Sequence, residues 1–177
     1  GWASIPTKNV VIDGAAEGES TPRLEITNEK WGTNVLLYGD VQNVVIKNCI
    51  LTGRSSGTAY ALVFRSEKYA NTNNDVAPKN CLVENCVLQS SSSSSQTIYF
   101  QGNEANSAAG YPADITIRNC DIKAHTRGMY VRQVKNLTVD ITANNYIFKM
   151  GSSKVVFDGF SKIYSDVEDV EIKKFPD

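Results

Sequence analysis

The sequence predicts an all-β chain folded as a single-stranded right-handed parallel β-helix, a solenoid of about six to seven coils. Three observations predict it. One short strand motif recurs along the chain, its copies align into apolar columns with strand alternation, and helix signals are nearly absent.

The motif is Asn or Asp, then apolar residues at alternate positions, then a polar residue, then Asn-Cys. Complete copies are Asn43-Val-Val-Ile-Lys-Asn-Cys49, Asn80-Cys-Leu-Val-Glu-Asn-Cys86 and Asp114-Ile-Thr-Ile-Arg-Asn-Cys120. Weaker copies are Asn9-Val-Val-Ile-Asp-Gly14, Asn136-Leu-Thr-Val-Asp-Ile141, Lys154-Val-Val-Phe-Asp-Gly159 and Asp169-Val-Glu-Ile-Lys-Lys174. Motif starts at 9, 43, 80, 114, 136, 154 and 169 give steps of 34, 37, 34, 22, 18 and 15 residues, the scale of one solenoid coil each. A second strand follows most copies: 35–38, 61–64, 97–100, 128–131 and 146–148. Strands of constant length with variable gaps place the insertions in loops between strands.

Aligned copies give two inward columns. One is Val10, Val44, Cys81, Ile115, Leu137, Val155 and Val170. The other, two residues on, is Ile12, Ile46, Val83, Ile117, Val139, Phe157 and Ile172. An outward column follows: Asp13, Lys47, Glu84, Arg118, Asp140, Asp158 and Lys173. Its sign alternates from Asp13 to Asp140, so neighbouring coils set opposite charges side by side. Asn48, Asn85 and Asn119 form a structural column at the strand end, where stacked amides pass hydrogen bonds from coil to coil and Asn tolerates the turn. Cys49, Cys86 and Cys120 form the next column, as small buried packing residues. Strand spacing of roughly 4.8 Å exceeds the usual disulfide Cβ separation of about 3.8 Å, so free thiols are expected. With no Cys-x-x-Cys pair and no nearby His, no metal site is assigned.

The 177 residues are read as one domain, 1–177, whether whole or a fragment of a longer protein. An apolar content of 41% excludes a disordered chain. Eighteen basic against nineteen acidic residues leave no electrostatic footprint for nucleic acid, and no apolar stretch suits membrane insertion. The serine run 90–95 reads as a solvated loop. Trp2, Ile5 and Pro6 are expected to cap the first coil and the charged tail 166–177 the last.

Residues 43–51, Asn-Val-Val-Ile-Lys-Asn-Cys-Ile-Leu, with Ala-Leu-Val-Phe-Arg-Ser at 61–66, resemble the pectin-lyase-like right-handed parallel β-helix superfamily. The likeness runs over residues 9–175. It implies a secreted or surface protein of a bacterium, of the uncharacterised surface-protein type. Polygalacturonases of that superfamily keep catalytic aspartates just before the second strand of a coil. The matching segments here, 56–60, 93–96 and 124–127, hold no carboxylate, although a glycosidase needs two across one bond. His125 beside Arg127 faintly resembles the family's Gly-His-Gly turn, without an acid partner. Pectate lyases need acids for Ca²⁺. Here Glu67, Asp75 and Glu104 are scattered in loops, so no cofactor is assigned, and Ca²⁺ enters only if the chain is a lyase. No catalytic residue is carried over.

The second strands offer a binding surface instead. Their outward positions read Leu37, Val63, Tyr99, Tyr130 and Ile147, and two residues on come Arg65, Gln101, Arg132 and Lys149. Arg54 and Arg127 enter the loops of the same side. Aromatic rings pack on the apolar faces of pyranoses, and Arg holds a uronate carboxylate bidentately. The candidate polysaccharide-binding residues are Arg65, Tyr99, Gln101, Tyr130, Arg132 and Lys149. A competing reading has the tyrosines covered by the loops at 67–79 and 103–113. The expected function is a noncatalytic carbohydrate-binding module for an acidic polysaccharide. The alternatives are a polysaccharide lyase or hydrolase, and a structural, adhesin or tailspike-like segment.

Overall fold

A computed structural model describes residues 7–30, 32–67, 76–92, 94, 96–102, 110–124, 127–132, 134–140, 147–148 and 171–172. It describes only the backbone of residues 124, 127, 131, 132, 140, 147, 148, 171 and 172. The expected cap at residues 2–6, the tail 166–177 apart from Glu171 and Ile172, the motif copy at 154, His125 and Lys149 lie outside the described residues.

Every regular element described is a strand. The first sheet holds β1 (Thr7–Asp13), β4 (Val41–Lys47), β7 (Lys79–Glu84), β10 (Ala113–Arg118), β13 (Lys135–Asp140) and β15 (Glu171–Ile172), in that order. The second runs β14 (Ile147–Phe148), β11 (Asp121–Ala124), β8 (Val87–Ser90), β5 (Cys49–Thr52) and β2 (Leu24–Thr27). The third runs β12 (Arg127–Arg132), β9 (Gln96–Gln101), β6 (Tyr60–Arg65) and β3 (Thr33–Tyr38). All pairings are parallel, and the chain visits the three sheets in turn. The architecture is compatible with a parallel β-helix.

The motif is the first-sheet strand, and its register is the one the alignment gave: Val10 opposite Val44, Ile12 opposite Ile46, Ile115 opposite Cys81 and Ile117 opposite Val83. These residues line one apolar core from Val44 to Val139. Two points differ from expectation. Asn-Cys does not end a strand. The Asn stands at the corner, and a short second-sheet strand begins at Cys49 or directly after Cys86 and Cys120, so the first four described rungs carry three strands each. Within the serine run, Ser90 and Ser92 are buried, and the Ser92 hydroxyl donates to the Gly57 carbonyl.

The corners explain why Asn recurs. Among the described residues eight non-glycine residues have positive φ, between 51° and 59°: Asn9, Asn43, Asn80, Asp114 and Asn136, which open the motif, and Asn48, Asn85 and Asn119, which close it. Left-handed backbone costs an ordinary L-residue about 1–2 kcal/mol, and Asn and Asp tolerate it best. Stacking then links the side chains. Asn48 Nδ2 donates to Asp13 at 2.7 Å, Asn85 to Asn48 at 2.7 Å, and Asn119 to Asn85 at 3.2 Å. On the other edge Asn43 donates to Asn9 at 2.8 Å and Asn80 to Asn43 at 2.6 Å. Each ladder satisfies amides that would otherwise compete with the strand hydrogen bonds.

Candidate functional site

The third sheet positions the candidate site. Its inner side is set by a stacked pair, Phe64 on Phe100, with ring centroids 4.8 Å apart and planes at 6°. With those rings fixed inward, alternation sends the intervening side chains outward. Leu36, Val63, Tyr99 and Tyr130 then fall in one column. Tyr38, Arg65, Gln101 and Arg132 fall in the next, two residues on.

This corrects part of the expected column. Leu37 opposes Phe64 and is buried in the core, so Leu36 takes the outward place, a slip of one residue in β3. Ile147 belongs to β14 of the second sheet, opposite Lys123, and is not in this column at all. Lys149 lies outside the described residues. Arg132 is placed by its backbone opposite Gln101.

Three tyrosines make a continuous aromatic ladder. Tyr60 and Tyr99 have ring centroids 5.3 Å apart, and Tyr99 and Tyr130 5.0 Å, with planes tilted by 39° and 36°. Such offset contacts each add about 0.5–1.5 kcal/mol beyond the area they bury. Tyr60 and Tyr130 are half-buried, while Tyr99, with a ring on either side, is only 6% exposed. Tyr99 is thus buried within its own stack, while residues 68–75 and 103–109 of the loops expected to cover the tyrosines lie outside the described residues. In the parallel column Arg65 Nε donates to Gln101 Oε1. Gln101 is 3% exposed, so it holds Arg65 in place rather than meeting solvent. Arg65 itself is half-buried.

Sequence reasoning missed Tyr38 and Tyr60. Tyr38 Oη donates to the Glu67 carbonyl at 3.5 Å. Burial and then the Glu67 charge push its hydroxyl pKa up, against an opposing pull from Arg65. Tyr60 sits where the chain enters β6, a place read only as a loop without carboxylates. For Tyr38 the signal was its place one residue after Leu37, the partner of the inward Phe64; Tyr60, four residues before Phe64, shares that ring's parity, so alternation gave no signal for it.

The cysteine column lies at the corner between the first two sheets and is wholly internal. Cys49, Cys81, Cys86 and Cys120 are free and buried. The thiols of Cys49, Cys86 and Cys120 each donate to the carbonyl two residues back, at 3.1, 3.2 and 3.2 Å. Burial, helped by the neighbouring Cys86, pushes Cys49 up to about 11. The hydrogen bond shared with Cys86, together with burial, raises Cys120 as well. The same hydrogen bond with Cys120 lowers Cys86, but all four thiols are buried, out of reach of reagents and metal ions in solution. Among the described residues no group of three or more His, Cys, Asp or Glu is placed to hold a metal ion.

Fold and site together define an all-β protein of parallel strands stacked in three sheets, with an aromatic and cationic strip on the outside of one. No family model, no curated protein and no solved structure matches the chain.

Proposed function

We propose that the chain is a right-handed, pectin-lyase-like β-helix of about six to seven coils that binds an anionic polysaccharide noncatalytically, as part of a bacterial protein acting outside the cell. The observation that carries the reading is the Tyr60–Tyr99–Tyr130 ladder running beside the Tyr38–Arg65–Gln101–Arg132 column. Rungs repeat at roughly 4.8 Å, so about one pyranose of an extended chain spans each one. Tyr60 and Tyr130 offer the partly open ring surface, and Arg65 and Arg132 the charges that meet uronate carboxylates. Buried Tyr99 and Gln101 hold these contacts in register.

Affinity electrophoresis in gels containing pectate, alginate or a glycosaminoglycan tests the reading. Retardation that fades as salt rises is expected. Tyr130→Ala and Arg65→Ala should each weaken it about tenfold, roughly 1.4 kcal/mol. Wild-type protein that migrates unretarded in every acidic gel would sink it.

A further inference from the structure

The outer face of the first sheet is built differently from the third. Among the described residues its central column is Val11, Val45, Leu82, Thr116 and Thr138. Val11 is 62% exposed, the most exposed large apolar side chain among the described residues, and the other four are half-buried. One edge of this stripe is the exposed amide ladder in which Asn43 donates to Asn9 and Asn80 to Asn43. The other edge is the column Asp13, Lys47, Glu84, Arg118, in register rung by rung.

These four charges pair in twos. Lys47 Nζ lies 2.9 Å from Asp13 and Arg118 Nε 2.8 Å from Glu84, and no ion pair joins Lys47 to Glu84. All four keep between 32% and 51% of their side chain in solvent. The order of signs is minus, plus, minus, plus. Such a row is complementary to itself when turned end for end. A two-fold axis lying along the strand direction, midway between β4 and β7, sets Asp13 against Arg118 of a second copy and Lys47 against its Glu84. The same operation sets Val45 against Leu82 and Val11 against Thr116. Every charged contact is then opposite in sign, and the exposed apolar stripe covers itself. That is the requirement for an isologous interface, in which one patch meets its own copy.

We propose that this face is a docking surface for a second copy of this chain, forming an antiparallel two-fold dimer across the first sheet. Four strands of six or seven residues cover roughly 400 Å² per copy at ordinary strand spacing and rise. Twice that falls at the low end of specific interfaces, so the dimer is weak, concentration-dependent and sensitive to salt. It leaves the third sheet free and does not depend on polysaccharide binding there.

Sedimentation velocity over a concentration series into the millimolar range tests the dimer. Wild type should shift from monomer to dimer at low salt and return towards monomer at high salt. Lys47→Glu alone sets like charges together across the axis, as does Glu84→Lys alone, so each variant should stay monomeric. Mixed one to one they should dimerise, because each variant's changed position meets its complement in the other. Val11→Lys, at a position that packs little within its own chain, should weaken the wild-type dimer at least tenfold without altering the circular dichroism spectrum. A wild type that is monomeric throughout overturns the proposal. So do single variants that dimerise like wild type, or a mixture that stays monomeric. Polysaccharide binding abolished by Val11→Lys but not by Tyr130→Ala would assign the face to glycan instead.

Discussion

Asp114 accepts a 2.7 Å hydrogen bond from Asn136 Nδ2 and returns none to Asn80. Everywhere else described on that edge the later residue donates to the earlier one: Asn43 to Asn9 and Asn80 to Asn43. A carboxylate has no hydrogen to donate, so the ladder breaks between Asn80 and Asp114. Asp114→Asn keeps a residue tolerant of φ 55° and restores the missing donor. The variant should be more stable by about 0.5–1 kcal/mol, the net yield of one exposed amide hydrogen bond. Urea denaturation at pH 7 reads this as a higher midpoint with an unchanged slope; a lower midpoint refutes the ladder account.

Gly14 holds the corner place that Asn48 takes one rung later. A Cβ built there would stand 2.2 Å from the Asn48 carbonyl oxygen and 2.8 Å from Leu24 Cβ. Both obstacles are rigid, so Gly14→Ala must part the first two rungs, at about 2–4 kcal/mol. Gly18 is the control. Its φ is +76° and nothing lies near its Cβ, so alanine there costs only the left-handed backbone term, about 1 kcal/mol. Equal losses at the two positions would show that crowding at Gly14 is relieved by a shift of the loop.

The first sheet was legible because its alternation repeats with conserved length. Ile46, Val83 and Ile117 follow one another at the same offset from a motif asparagine. The corner asparagines were legible as a column, but the left-handed backbone at the motif's opening residue was not, since alternation carries no sign of φ. The second sheet was missed because β5, β8 and β11 have only four residues each and begin within two residues of the corner asparagine. Four residues give too little alternation to separate a strand from a loop. In the third sheet, Val35-Leu36-Leu37 is apolar without interruption, so nothing local chooses which leucine turns inward. The stacked Phe64 and Phe100 choose it, through a contact between rungs that no single strand displays. Burial of Tyr99 was weighed as a covering by loops; its stacking between the Tyr60 and Tyr130 rings was out of reach, because that contact runs between rungs.

The internal thiols give a measure of the stack's cohesion. All four cysteines are buried, and Cys49 titrates at about 11. At pH 8 the native protein should therefore react with a thiol reagent only as it opens. Labelling with a disulfide-exchange reagent should be negligible over minutes and reach four groups per chain in denaturant. Its slow native rate should rise with urea in parallel with global unfolding. Rapid labelling of one thiol in the absence of denaturant would mean that the corner between the first two sheets opens by itself.

Asp13 ends the corner ladder and ties stability to pH. It accepts Asn48 Nδ2 at 2.7 Å, meets Lys47 Nζ at 2.9 Å and accepts the Ala15 amide at 3.1 Å. These partners, the Asn48 hydrogen bond foremost, lower its pKa from 3.8 to about 2. A group whose pKa is depressed on folding stabilises the native state above its unfolded value and loses that contribution as pH falls through the folded value. The window is therefore about pH 4 down to pH 2. Asp13→Asn keeps an acceptor for Asn48 but removes the charge that Lys47 meets. Wild type should be the more stable at pH 6, and the difference should shrink steadily between pH 4 and pH 2 as the carboxylate protonates. Parallel urea titrations of the two proteins check this. A difference that stays constant across that window would mean that the Asp13 carboxylate gains nothing from its partners on folding. The tie between the first two rungs would then rest on backbone and amide hydrogen bonds alone.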